Sequence, residues 1–173
     1  EAGGTPRRVT FPSDRLHLIG YLHLPPDLAP GERRSAVVCC HGFGASQDRV
    51  LPDVAVHLAQ RGHVALTIDY RGFGSSEGER GRQRPLEQAQ DSFDAITYLT
   101  TVEGIDPDRI GIYGTSFGGA VVLHAAALDE RVRAVVANAS RTSALEREVE
   151  ELRAEVGRRY QLGNIVGRSA AMQ

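Results

Sequence analysis

Residues 109–128 hold the pattern that most narrows what this chain can fold into. Arg109-Ile-Gly-Ile-Tyr113 reads as a short apolar strand, Gly114-Thr115-Ser116-Phe117-Gly118-Gly119 is rich in glycine, and Ala120-Val121-Val122-Leu123-His124-Ala125-Ala126-Ala127-Leu128 continues as an apolar helix. A strand that becomes a helix within so few residues must bend sharply, and the residue at the apex is thrown clear of both elements. Small residues are needed on either side of that apex, where backbone passes close to backbone. Gly114 and Gly118 stand there, two positions before and after Ser116, in a G-x-S-x-G spacing. The first N–H groups of the helix, with the positive end of its dipole, then face the space where an oxyanion would form. Helix N-capping is the competing role for a serine at this position. The flanking glycines and the apolar strand before them favour a nucleophile.

Bulk properties set the bounds. A chain of 173 residues can bury one core and is short for two domains. Hydrophobic residues make up 41% and charged residues 24%, a globular balance. No apolar run approaches the roughly 20 residues that span a bilayer, so no membrane association is expected. Against 22 acidic residues stand 20 basic ones, all arginine, and the net charge of −2 offers no footprint for a nucleic acid. Cys39 and Cys40 are neighbours in an apolar run, where successive side chains point to opposite faces. They read as core residues, and so few cysteines suit a cytoplasmic protein. The six histidines show no metal-ligand spacing, and no metal is expected.

Apolar alternation at Val9-Thr-Phe11 and across Leu16-His-Leu-Ile-Gly-Tyr-Leu-His-Leu24 predicts an antiparallel strand pair, ended by Pro25-Pro26. Ala36-Val-Val-Cys-Cys40 is continuously apolar and predicts a buried strand. Helical spacing over 50–62 stops at Gly62, and 63–68 is again strand-like. The glycine-rich, charged segment 69–84 predicts a loop. Residues 85–102 predict a helix with Pro85 in its first turn and Ala89, Phe93, Ile96, Tyr98 and Leu99 as its buried stripe. Asp106-Pro-Asp-Arg109 predicts a turn, and 132–137 one more buried strand. Strands alternating with helices in this order predict an α/β fold, a mostly parallel sheet with helices on both faces. Beyond 143, Leu145, Val149, Leu152 and Val156 recur at helical steps among glutamates and arginines. The expected organisation is a core over 1–140 and a helical segment over 141–173 that begins a lid.

Two further motifs accompany the serine turn. His41-Gly42-Phe43-Gly44 closes the third strand, and Asp69-Tyr70-Arg71-Gly72-Phe73-Gly74-Ser75 follows the fourth. With the three in this order the chain resembles the α/β-hydrolase superfamily, in its esterase, acyl-hydrolase and dienelactone-hydrolase-like branch, over residues 16–140. The resemblance implies a core that lacks the family's last strands, and a serine hydrolase acting on carboxylic esters or related acyl bonds through an acyl-enzyme on Ser116. It also implies an oxyanion hole built from the backbone N–H groups of Phe43 and Phe117. His41, Gly42, Gly44, Gly114 and Gly118 would shape the supporting loops, the substrate would be a small acyl compound, and no cofactor would be needed. Fixed oxyanion donors are worth roughly 10²–10³-fold each in rate. His41 falls on the oxyanion side of the serine, which assigns it to loop orientation and not to the base. A phosphate-binding reading of the glycine-rich segment fails, because Gly72-Phe-Gly-Ser-Ser-Glu-Gly78 misses the G-x-G-x-x-G spacing and no P-loop lysine is present. Arg71 is then expected to be structural.

In the family an acid and then a histidine follow the nucleophile. The only histidine after Ser116 is His124, eight residues along the same helix and so roughly 12 Å away at about 1.5 Å per residue. A serine without a base keeps its proton at neutral pH and is a weak nucleophile. Two readings follow. In the first, the chain is the N-terminal part of a serine hydrolase whose acid and histidine lie beyond Gln173, and the chain alone is inactive. In the second, it is a catalytically silent binding or interaction module. A peptidase of the same fold is a neighbouring alternative to the esterase. In every case a sheet that stops at 137 leaves an unpaired parallel edge, through which a homo-oligomer is expected.

Overall fold

Three apolar runs of the sequence sit side by side at the centre of one sheet, and the rest of the molecule is arranged to cover their two faces. The computed structural model describes residues 5–138. Strands β1 (Arg7–Ser13) and β2 (Leu16–His23) form an antiparallel hairpin whose tight turn places Asp14 at φ 52°. Along β1 the side chains alternate, with Val9, Phe11 and Ser13 buried and those between them exposed, as the two-residue period requires. There follow β3 (Arg34–Cys40), α1 (Leu51–Gln60), β4 (Val64–Ile68), α2 (Pro85–Thr100), β5 (Ile105–Thr115), α3 (Phe117–Leu128) and β6 (Val132–Asn138). The strand order is β1-β2-β4-β3-β5-β6, with β2 antiparallel to β4 and the last four strands parallel.

Central strands covered on both faces have no polar side to show, which is why β3 and β4 read as continuous apolar runs. All five residues of β4 are buried. On one face, α1 packs Leu51 and Ala55 against Cys39 and Ala65. On the other, α2 and α3 bring Ala95, Ile96, Leu99, Val121 and Val122 against Val38, Cys40, Leu66 and Ile112. Cys39 and Cys40 therefore enter different halves of the core, and neither forms a disulfide. Burial pushes the Cys40 thiol up to about 11, so it stays protonated and inert.

Three sequence expectations are corrected. The Asp106-Pro-Asp-Arg109 stretch is not a turn between elements but lies inside β5. Its pairing with β3 jumps from Arg34 opposite Ile105 to Ala36 opposite Ile110, so the intervening residues bulge from the ladder. Within the bulge the Asp108 N–H donates to Asp106 Oδ1 at 3.1 Å, the local turn chemistry that the sequence displayed. Helix α2 buries Gln88, Asp91 and Ser92 besides Ala89, Ile96 and Leu99, while Phe93 and Tyr98 are only partly buried. Strand β6 is not buried: among the described residues it pairs with β5 alone, and Val136 is 56% exposed. Leu123 and Leu128 of α3 are exposed as well. The expected boundary at 140 and the helical lid segment lie outside the described residues. No helix among those described is long and apolar enough to cross a membrane.

Candidate active site

Strand register gathers the three motifs. Cys40, the last residue of β3, lies opposite Gly114 of β5 on one side and Ile68, the last residue of β4, on the other. The segments beginning at 41, 69 and 115 therefore leave the same end of the sheet at the same level, although they are far apart in sequence. Ligand sites in parallel α/β sheets form at this end, beyond the carboxyl termini of the strands.

Ser116 joins β5 to α3 at φ 53° and ψ −123°, a conformation that side chains other than glycine seldom adopt. Holding it costs of the order of 1–3 kcal/mol, which the surrounding packing must offset. The surroundings are bare backbone. A Cβ on Gly114 would clash with the Gly118 carbonyl group and come within 2.8 Å of Val122 Cγ2, and one on Gly118 would clash with the His41 carbonyl oxygen and lie 2.9 Å from that of Cys40. Only glycine at both positions lets the end of β5 and the start of α3 close against β3. The Ser116 side chain makes no capping hydrogen bond to α3, so the N-cap alternative does not describe it. The residue is exposed, and among the described residues its hydroxyl has no hydrogen-bond partner.

The loop after β3 lies directly against this serine. A Cβ on Gly42 would sit 3.2 Å from Ser116 Cβ and 3.8 Å from its Oγ. His41 is 1% exposed and uses both ring nitrogens. Its Nδ1 lies 2.9 Å from the Gly42 carbonyl oxygen, and its Nε2 accepts the Tyr70 N–H at 3.4 Å. Since a carbonyl only accepts, the imidazole carries its proton on Nδ1 and is neutral. Burial lowers its pKa, outweighing the opposite pull of the Gly42 carbonyl and of Asp69 and Asp48. Tyr70 and Phe73 hold the ring edge-on, with centroids at 4.8 and 5.6 Å. The Gly42 carbonyl shares a planar trans peptide with the Phe43 N–H, and the two point in opposite directions. Fixing the carbonyl fixes the N–H. Gly44, at φ 59°, donates its N–H to Gln83 Oε1 at 3.2 Å, which ties the loop to the 69–84 segment.

That segment is scaffolding. The buried Asp69 carboxylate accepts the N–H groups of Gln47 at 2.9 Å and Ser75 at 3.1 Å, and its backbone carbonyl accepts the Ser76 hydroxyl at 2.6 Å. Arg71 is structural, as expected: Nε and Nη2 meet Asp91 Oδ1 at 2.8 and 2.7 Å, and Nη1 meets Asp14 at 2.9 Å. Ser13 completes the cluster by donating to Asp91 at 2.8 Å. Burial raises the Asp91 carboxyl above its usual range, and Arg71 pulls it back down. Asp69, Tyr70, Gln83 and Asp91 were not singled out from the sequence as supports. Asp69 and Tyr70 alone carried a local signal, as the first two residues of a recognised motif.

Phe43 and Phe117 meet edge to face beside Ser116, with ring centroids 6.0 Å apart and planes at 82°. His124 is exposed on α3, two helical turns beyond the serine. A cleft of about 490 Å³ lies at the entry to β3 and β5, near Leu28, Tyr98 and Gly104, and another of about 450 Å³ lies against His23, Gln47 and Thr67. Ser116 lines neither of these two clefts.

Comparison with known proteins adds independent findings. The sequence profile of the serine aminopeptidase family, S33, matches residues 31–160. A polyketide transferase of Penicillium crustosum is 42% identical over 109 residues, covering 62% of this chain and 35% of that protein. A thiohydrolase of Aspergillus aculeatus is 40% identical over 124 residues, covering 71% and 37%. The crystal structure of the α/β hydrolase GrgF from a Penicillium species matches with a TM-score of 0.72 at 32% identity, covering 92% of this chain and 55% of that one. The chain thus spans little more than a third of the length of these two curated relatives.

Proposed function

The chain belongs to the serine aminopeptidase S33 family of α/β hydrolases, and from that premise we propose that it supplies the nucleophile and the oxyanion hole of a serine hydrolase acting on carboxylic esters or related acyl bonds. The observation that carries this reading is Ser116 itself: a strained, exposed serine whose hydroxyl is not used for capping, set against the 41–44 loop. A fold that needed only a helix cap would not hold a side chain at this φ, because an ordinary capping serine sits in the extended region without strain.

In the proposed reaction Ser116 Oγ forms a bond to the substrate carbonyl carbon as its proton passes to a base. The carbonyl oxygen takes the negative charge and is held by the N–H groups of Phe43 and Phe117. Collapse expels the alcohol or thiol, which receives the proton, and water then releases the acid by the same steps in reverse order. The base and its orienting acid are assigned to sequence beyond Gln173 in the natural protein. A thiohydrolase among the relatives favours thioesters within the acyl class, and a polyketide transferase favours a second reading, in which an acceptor other than water takes the acyl group. The family name keeps a peptidase as the alternative for amide bonds.

Incubating the natural protein with a fluorophosphonate probe tests the reading. Labelling at Ser116 that disappears in Ser116→Ala is the expected result. Absence of labelling, or labelling that survives the substitution, would overturn it and leave a silent module.

A further inference from the structure

The 41–44 loop spends an aromatic side chain where its backbone role needs none. An oxyanion donor at position 43 requires only the N–H, which any residue except proline supplies. Phe43 nonetheless presents its ring to solvent at 72% exposure, and the ring contact it makes is with Phe117. Phe117 is anchored, being partly buried against the main core. At 6.0 Å and 82° the rings adopt the edge-to-face arrangement that aromatic pairs prefer. The two residues so joined are the same two whose N–H groups are assigned to the oxyanion. In each, the backbone nitrogen and the side chain share one Cα, so the rings stand within one residue's reach of whatever the donors would hold. An apolar substituent there removes exposed aromatic surface from water, whereas a charged one loses hydration without gaining a partner.

We propose that the Phe43–Phe117 pair is the specificity wall of the site and selects substrates carrying an apolar group next to the reacting carbonyl. The proposal rests on the assignment of Ser116 as nucleophile, and it deepens that assignment by naming the substrate class. The apolar group can lie on the acyl side or on the leaving-group side of the carbonyl. Each methylene that lies on the wall should raise kcat/KM about fourfold, the equivalent of about 0.8 kcal/mol per buried CH₂.

Two ester series read this in the natural protein, one lengthening the acyl chain of p-nitrophenyl esters from two to eight carbons, the other lengthening the alcohol of acetate esters. The expected result is a steep rise along one series, flattened by Phe43→Ala and restored by Phe43→Leu, whatever happens to the overall rate. Equal slopes in wild type and Phe43→Ala along both series would overturn the proposal. A binding measurement separates this outcome from failure of the nucleophile assignment. By calorimetry on Ser116→Ala protein, adding Phe43→Ala should weaken octanoate or 1-hexanol binding about tenfold. No binding of either, or no loss, overturns the wall even where fluorophosphonate labels Ser116, whereas a loss without labelling overturns the nucleophile assignment and leaves the pair as an apolar binding surface.

Discussion

At Ser116 a side chain is held at positive φ by contacts that its neighbours make possible, so the neighbours are where the site should break first. Gly118→Ala drives a methyl group into the carbonyl of His41, the first residue of the loop set against Ser116. We expect destabilisation of about 1–3 kcal/mol, typical of overpacking, and a fall in fluorophosphonate labelling beyond what the stability loss explains. Gly44→Ala is the control. Its Cβ meets nothing within 4 Å, so only the strain of φ 59° remains, about 1–2 kcal/mol, and thermal denaturation should show the smaller shift. His41 offers a separate test, because its imidazole fixes the Gly42 carbonyl and through it the Phe43 N–H. His41→Leu should lower kcat by at least about tenfold, towards the roughly 10²–10³-fold of a deleted donor, with KM little changed. A rise in KM alone, or a stability loss with kcat intact, would show that the ring merely fills space.

Between elements, the loop after β4 is clamped to the β1–β2 turn and to α2 by one guanidinium. Arg71 and Asp91 are nearly and wholly shielded from water, with side chains 12% and 0% exposed. Removing Asp91 leaves the shielded guanidinium only the exposed Asp14 carboxylate and the Ser13 hydroxyl, so Asp91→Ala should cost up to about 3 kcal/mol by denaturant unfolding, less than a fully stranded charge would. Arg71→Met combined with Asp91→Leu should recover most of that, since a filled apolar cluster needs no charge. A double variant no more stable than Asp91→Ala would mean that the hydrogen bonds, and not the isolated charge, hold these elements. This clamp also marks where sequence reading stopped. The turn at Ser116 was legible because its logic is local: Gly114 and Gly118 lie two residues away. Asp91 was not, because its partners lie 20 and 78 residues distant and no periodicity signals them. The bulge at 106–109 carried honest turn chemistry, but pairing of β5 with β3 on both sides of it kept the strand running. The apolar residues of β6 promised burial that only a covering neighbour supplies, and among the described residues β5 is its sole partner strand.

Across the whole molecule, acid should loosen the fold earlier than its carboxylates alone would suggest. His23 on β2 and His41 after β3 are both buried, and burial holds both pKa values below the ordinary 6.5. For such a group the unfolded chain binds the proton first as pH falls, so acidification favours unfolding. The stability is therefore fully present above about pH 6.5 and declines from there down to the native pKa values, by at most about 1.4 kcal/mol per pH unit for each histidine. Glu32, Asp48, Glu77 and Asp129 have pKa values lowered by hydrogen bonds in the native state, so their loss has the same sign but falls below about pH 4.5. Asp91, raised by burial, has the opposite sign. The two carboxylate contributions thus oppose each other in acid, while the histidine contribution sets in below about pH 6.5. Protonating His41 also places a second N–H against the Tyr70 N–H that its Nε2 now accepts, which works against the contacts that hold the 41–44 loop. Melting temperatures recorded from pH 8 to 5 should be level above 6.5 and fall below it. His23→Gln and His41→Gln should each make the acid limb shallower. A melting temperature that holds or rises down to pH 5 would show that these imidazoles take up protons without leaving their native contacts.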